Sequence, residues 1–147
     1  LHYGTKTLAE ADRCFGAAID RAIDLGAEVA VVSGDLTDHA LDLHAPAVLR
    51  LAGQLRRLAD HCPVLLLQGT HSHEPPGTLG VFRLLGGRHP VYVADRIEQV
   101  VLTDEGRWVA SSAWYFEQLP AGSRAVFSCL PTVNKAVVAA AVGAAEA

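Results

Sequence analysis

Two histidines stand one residue apart in the segment "QGTHSHEPPG", residues 68–77. The aliphatic run "PVLLL" precedes them, and a proline pair follows. Imidazole binds transition metals and exchanges protons near neutral pH, so His71 and His73 are candidates for either role. The segment alone leaves two interpretations open: a solvated loop that contains histidine, or a metal site presented at the end of a strand.

A second group of chemically competent residues lies in "SGDLTDH", residues 33–39, which also follows an apolar run. Asp35, Asp38 and His39 supply carboxylate and imidazole without thiolate, a set that favours manganese or iron over a structural zinc ion. The alternative is an ordinary turn after Gly34, with "DLTD" acting as a helix cap.

Other chemical signals are weak or missing. The chain has no G-x-x-x-x-G-K-[ST] loop, no G-x-G-x-x-G turn and no G-x-S-x-G nucleophile elbow. Four other histidines sit at the ends of predicted elements, where we expect them to be solvated: His39, His44, His61 and His89. The cysteines are odd in number and far apart, which favours core positions over disulfides or structural zinc: Cys14, Cys62 and Cys129.

A helix and a strand are predicted to lead to Asp35. Apolar residues recur at helical spacing from Thr7 onward: Leu8, Ala11, Phe15, Ala18 and Ala22. Thr7 and Glu10 have the spacing of a capping box, and the helix should end near Gly26. The following run "EVAVVSGD" predicts a strand buried on both faces of a parallel sheet.

A second helix and strand are predicted to lead to the histidine pair. The helix should begin near Pro46 and bury one apolar face: Val48, Leu51, Leu55 and Leu58. "PVLLLQG" then predicts the next strand, and a right-handed crossover would make the two strands parallel neighbours. Because ligands bind beyond the carboxyl ends of parallel strands, both groups of candidate residues should lie at one edge of the sheet.

The second half of the chain is predicted to be mainly strands. A short helix around "LGVFRLLGG" should be followed by strands at "VYVA", "EQVVLT" and "RWVASSAW", with a hairpin turn at residues 104–106. An alanine-rich helix is predicted from Thr132. The fold class is therefore α/β, with a central, partly parallel sheet flanked by helices, in one domain over residues 1–147.

The totals indicate a globular domain without a broad basic face. Half of the 147 residues are hydrophobic, and 12 Lys and Arg against 16 Asp and Glu give a formal charge of −4. A phosphate-bearing partner must therefore be held locally, by a metal or by a few cations. No apolar stretch is long enough to span a bilayer and no signal peptide is evident, so we expect a cytoplasmic protein without a membrane partner.

The two motifs together resemble a known family. "VVSGDLTD" followed by "PVLLLQGTHSHEPPG" is similar to the GD-x-x-D and GNHD/E motifs of the calcineurin-like metallophosphoesterases, and most similar to the SbcD-like nucleases. The likeness covers roughly the first 100 residues. In one alignment Ser72, His73 and Glu74 take the Asn, His and acid places after a two-residue insertion; in the ungapped alignment Thr70, His71 and Ser72 do.

The resemblance implies a two-metal site, with manganese the expected ion and iron or zinc as alternatives. Asp35 would be the bridging carboxylate, and His71 and Thr70 would be candidate metal ligands. His73 would act as the general acid, with His71 as its rival. Supporting roles would fall to three further residues: Asp38, Ser72 and Glu74.

The resemblance also implies a substrate and partners. The substrate would be DNA, cut by metal-dependent phosphodiester hydrolysis, and the partners would be an SMC-like ATPase subunit and possibly a second copy of the chain. The layered metallophosphoesterase-like fold would be truncated at both ends, since the D-x-H motif would precede residue 1 and the late histidine motifs would follow residue 147. We therefore expect residues 1–147 to be inactive in isolation. The alternative is a divergent, inactive scaffold of the same fold that binds DNA or the ATPase.

Overall fold

The computed structural model of the protein describes residues 7–38, 45–132 and 139. Its helices are α1 (Leu8–Asp24), α2 (Pro46–His61) and a 3-10 helix (Thr78–Leu84). The strands in these residues are β1 (Ala30–Val32), β2 (Val64–Leu67), β3 (Val91–Ala94), β4 (Glu98–Thr103), β5 (Trp108–Ala110) and β6 (Ser123–Cys129). The fold is mixed α/β, as the order of apolar segments predicted. The strands form two separate sheets, one parallel and one antiparallel, and not the single central, partly parallel sheet that was expected.

The first three strands form a parallel sheet with β2 in the centre. Val31 pairs with Leu65, and Leu65 pairs on its other side with Tyr92. Side chains alternate across the sheet, so Val64 and Leu66 enter the core beneath the helices while Leu65 enters the core on the opposite face. The prediction that the first two strands are parallel neighbours is confirmed, and their carboxyl ends share one edge.

The helices α1 and α2 pack together on one face of this sheet. Their main contributions to the core are Ala11, Phe15, Ile19, Leu51, Leu55 and Leu58. The predicted apolar face of α2 is confirmed, and Pro46 is its first residue. Ala18 was predicted to be buried but is exposed. The buried stripe continues instead at Ile19, which lies about 100° further around the helix.

The two ends of α1 differ in how well the sequence predicted them. Thr7 precedes the helix, but its side chain makes no capping hydrogen bond. Glu10 instead pairs with Arg13 at 2.5 Å, so the predicted capping box is wrong. The end near Gly26 is confirmed, because Gly26 adopts φ +67°, a left-handed conformation that glycine tolerates after a helix.

An antiparallel sheet in the order β5-β4-β6 covers the other face of the parallel sheet. The core between the two sheets contains Leu65, Ala94, Val100 and Cys129, with Tyr92, Trp108 and Phe127 packed around them. The predicted hairpin turn is confirmed, since β4 and β5 pair on either side of residues 104–106. No strand was predicted at β6. Its first six residues alternate between half-buried and exposed positions and only Cys129 is fully buried, so the apolar signal of this strand is weak.

The strand β1 is not buried on both faces, contrary to prediction. Val31 is 50% exposed. The core between the two sheets includes residues of β2 and β3 but none of β1, so the antiparallel sheet does not cover this strand. Whether the antiparallel sheet reaches β1 depends on contacts between residues distant in sequence, and the apolar run at β1 does not reveal those contacts.

The cysteines follow the prediction at two positions of three. Cys62 and Cys129 are buried and free. Cys14 is only half-buried, and its Sγ lies 3.4 Å from Oε1 of Glu10, so its predicted core position is wrong.

The predicted solvation of histidines is partly wrong. His61 and His89 are half-buried, and Nε2 of His61 is buried. His39, His44 and the helix predicted from Thr132, except for Thr132 and Ala139, lie outside the described residues. Within the residues that are described, no helix is both long enough and apolar enough to cross a membrane.

Candidate metal centre

The loops after β1 and β2 meet at the carboxyl edge of the parallel sheet. Asp35 lies in the first loop and Thr70 in the second. Oδ1 of Asp35 accepts a hydrogen bond from the backbone N–H of Thr70 at 2.7 Å and another from its hydroxyl at 2.9 Å. The adjacent parallel strands therefore bring the two predicted groups together, as their order along the sheet requires.

Two glycines allow this close approach. A Cβ atom on Gly69 would lie 2.2 Å from the backbone nitrogen of Asp35, and one on Gly34 would lie 2.7 Å from Cα of Gly69. Neither distance is physically possible for a side chain without moving backbone. Gly34 adopts φ +94° and Asp35 φ +52°, so two consecutive residues have a left-handed backbone conformation in the turn after β1. The turn aims the Asp35 carboxylate at the second loop.

His73 lies beside Asp35, at the same edge. Its Nδ1 is 3.1 Å from Oγ1 of Thr70 and 3.6 Å from Oδ2 of Asp35. The side chains of His73 and Asp35 are 31% and 35% exposed, which leaves both accessible to a ligand.

The pKa of the Asp35 carboxyl is lowered from its ordinary value. The backbone N–H of Thr70 is the main cause; burial opposes it, and the Thr70 hydroxyl and His73 reinforce it. Asp35 is therefore an ionised carboxylate at neutral pH, the form in which it can bind a cation.

Glu74 ties the two loops together from beneath. Its side chain is fully buried. Oε1 accepts hydrogen bonds from the backbone N–H groups of Leu36 at 2.6 Å and Thr37 at 3.3 Å, while Oε2 accepts from Gly69 at 2.5 Å. One carboxylate thus satisfies three backbone donors from both loops. Glu74 supports the geometry of Asp35 and His73 and is not itself exposed to a ligand.

The remaining candidate residues occupy different surroundings. Ser72 is exposed, with its Oγ 3.3 Å from Oγ1 of Thr70. Asp38 is exposed and is the last described residue before α2 apart from Ala45. His71 is half-buried, and its Nε2 is buried without a hydrogen-bond partner in the described part of the chain. It is His73, not His71, that lies beside Asp35.

One contributor was missed from the sequence. Thr37 is fully buried, and its hydroxyl donates to the backbone oxygen of His73 at 3.1 Å. Thr37, in the first loop, therefore holds the backbone of His73, which lies in the second loop and is the predicted general acid. The only available signal was its position inside "GDLTD", between the two acidic residues.

The donors at this edge fit part of a metal site. Oδ2 of Asp35 accepts no hydrogen bond from Thr70, and the orphaned Nε2 of His71 marks a buried nitrogen whose polar partner is not among the described residues. Within residues 7–38, 45–132 and 139, however, no group of three or more His, Cys, Asp or Glu side chains is arranged to hold an ion. A complete site would therefore need ligands from outside these residues.

Two open clefts lie at the opposite edge of the sheet, where both helices end. Their volumes are about 650 and 760 Å³, and they share His61 and Arg88. Carboxylates such as Asp60 and Glu28 line these clefts together with arginines: Arg56, Arg57, Arg88, Arg107 and Arg124.

Comparison of the chain with protein-family models, with curated proteins and with solved structures finds no match in any of the three.

Proposed function

We propose that this chain is a metallophosphoesterase-type domain that takes part in metal-dependent hydrolysis of phosphodiester bonds in DNA, as SbcD-like nuclease subunits do. The observation that carries the proposal is the contact between Asp35, Thr70 and His73 across two parallel strand ends, the place where such sheets bind ligands. The helix–sheet–sheet layering is compatible with that fold.

Asp35 and His73 would divide the work at this site. Oδ2 of Asp35 would hold a divalent ion, with His71 as a further candidate ligand. The expected cofactor is a pair of such ions, manganese first, with iron or zinc as alternatives; when bound they supply positive charge to a phosphodiester and lower the pKa of water. His73 would donate a proton to the departing oxygen.

The net charge of the protein agrees with a requirement for a bound cation. A chain with a formal charge of −4 has no net electrostatic attraction for a polyanion. DNA would then be held mainly where a cation is bound, and the SMC-like ATPase subunit would supply further contacts.

Manganese binding tests the proposal without requiring catalysis. Asp35→Asn keeps the shape of the side chain and an oxygen that can accept from Thr70, but removes the charge. Asp24→Asn makes the same change at an exposed position in the last turn of α1. We expect Mn²⁺ to broaden amide NMR signals around residues 35 and 73 selectively, and Asp35→Asn to weaken the effect by at least the 10- to 100-fold typical of altered metal surroundings. Asp24→Asn should change nothing.

A scaffold without a metal is the second candidate, favoured by the lack of a three-ligand group in the described residues. It predicts that Mn²⁺ gives no selective broadening, and that Asp35→Asn and the parent chain bind a DNA duplex or an ATPase partner equally well. That result would replace the nuclease proposal.

A further inference from the structure

Thr70 stands at the centre of the polar contacts of the candidate site. Its hydroxyl oxygen lies 2.9 Å from Oδ1 of Asp35, 3.1 Å from Nδ1 of His73 and 3.3 Å from Oγ of Ser72. A hydroxyl has one proton to donate and two lone pairs with which to accept. Three neighbours therefore fill its capacity, and the direction of each hydrogen bond can be worked out.

The single proton of Thr70 must go to Asp35. An ionised carboxylate only accepts hydrogen bonds, and the same Oδ1 already accepts the backbone N–H of Thr70 at 2.7 Å. With its proton committed, the Thr70 oxygen must accept from the other two neighbours. Nδ1 of His73 therefore carries a proton, and so does the hydroxyl of Ser72 toward Thr70.

The backbone holds the two side chains in this relation. The carbonyl oxygen of Thr70 accepts the N–H of His73 at 3.0 Å and the N–H of Glu74 at 2.7 Å. This helical turn places residue i+3 over residue i, so the His73 ring returns to the Thr70 hydroxyl. The β-branched side chain of threonine also has few χ1 choices, so the hydroxyl is not free to turn away.

We propose that Thr70 is a positioning residue that fixes the neutral His73 ring with its proton on Nδ1 and its lone pair on Nε2. The assignment of the proton needs no metal or substrate. Only its use in proton transfer rests on the proposed function.

The ¹⁵N chemical shifts of the His73 ring test the assignment directly, in the metal-free chain and without substrate. At a pH where His73 is neutral, we expect a protonated-type shift for Nδ1 and an unprotonated-type shift for Nε2, the reverse of the form that histidine favours in water. Thr70→Ser should keep this pattern because it keeps the hydroxyl. Thr70→Val should lose it, and the ring should move toward the Nε2–H form.

Ser72→Ala is the matched control, since it removes the other hydroxyl near Thr70 but leaves the Asp35 and His73 contacts. It should retain the proton on Nδ1. An Nε2–H ring in the parent chain, or an unchanged pattern in Thr70→Val, would overturn the proposal; should Thr70→Val not fold, the parent and the Thr70→Ser spectra decide. A missing Mn²⁺ effect with the expected tautomer would remove the proposed function and leave this assignment standing. Mn²⁺ binding together with an Nε2–H ring would overturn the tautomer assignment and leave the proposed function standing.

Discussion

Glu74→Gln tests whether the buried Glu74 carboxylate joins the two loops of the candidate site. Glu74 accepts three backbone N–H bonds through two oxygens, and the charge strengthens each of them. Glutamine has almost the same shape but only one oxygen. If that oxygen serves Leu36 and Thr37, the amide NH₂ faces the N–H of Gly69, and two donors then meet in a buried place.

The expected cost follows from these contacts. A hydrogen bond to a charged group contributes about 1.5 to 3 kcal/mol net, a range that already includes the cost of removing the charge from water. Glu74→Gln loses one such bond and turns two others into neutral ones, so we expect a loss of about 3 kcal/mol in the free energy of unfolding. For a chain of this length that corresponds to a fall of roughly 6 to 12 °C in melting temperature.

Urea unfolding followed by circular dichroism measures the change. Glu117→Gln is the matched control, because Glu117 is exposed and the chemical change is identical. We expect the control to stay within about 0.5 kcal/mol of the parent chain. If Glu74→Gln also stays within that range, Glu74 does not join the two loops and the structural argument for its role is refuted.

Two further predictions concern packing and pH. Gly69→Ala should destabilise the protein by about 3 kcal/mol, because its Cβ would lie 2.2 Å from the backbone nitrogen of Asp35. Gly53→Ala is the control: it lies on α2, where a Cβ would meet nothing within 4 Å, and it should stabilise the protein by about 0.5 to 1 kcal/mol. Equal effects of the two substitutions in urea unfolding would contradict the close approach of the loops. Burial, with a smaller contribution from the Glu98 charge, raises the pKa of Cys129 from 9.0 to about 11. The folded state therefore holds the thiol proton more tightly, so this contribution to stability is complete below pH 9.0 and is lost as the pH rises to about 11. The difference between the unfolding curves of the parent and Cys129→Ala should shrink over that range; a constant difference would count against the raised pKa.

The sequence predicted well those elements whose pattern is set by local repetition. α2 buries the expected face, and β1 and β2 are parallel neighbours, since helical spacing and a short crossover leave few alternatives. It predicted poorly whatever depends on which distant segment covers a surface. Val31 is exposed because no layer packs over β1 in the described residues, and β6 escaped notice because one of its faces is exposed.

The candidate site shows the same division. The sequence placed Asp35 and the histidine pair at one edge of the sheet, because the carboxyl ends of neighbouring parallel strands must meet there. It gave no direct indication that Thr37 would reach the backbone of His73, or that the Thr70 hydroxyl would lie between Asp35 and His73. Those contacts depend on the conformation of two loops whose residues are 30 or more positions apart.

The choice between His71 and His73 shows why the motif alone left two alignments open. The two side chains are separated by one residue in a segment without regular alternation, and either can be aligned with the family histidine. Folding distinguishes them through the turn that begins at Thr70, whose carbonyl oxygen accepts from the N–H groups of His73 and Glu74. In such a turn the third residue after Thr70 shares its face and the first does not, so His73 approaches the Thr70 hydroxyl. Glu74, one residue further, is then carried beneath both loops, where its carboxylate meets their backbone N–H groups. The gapped alignment, with His73 at the histidine place and Glu74 at the acid place, is the one that this turn favours.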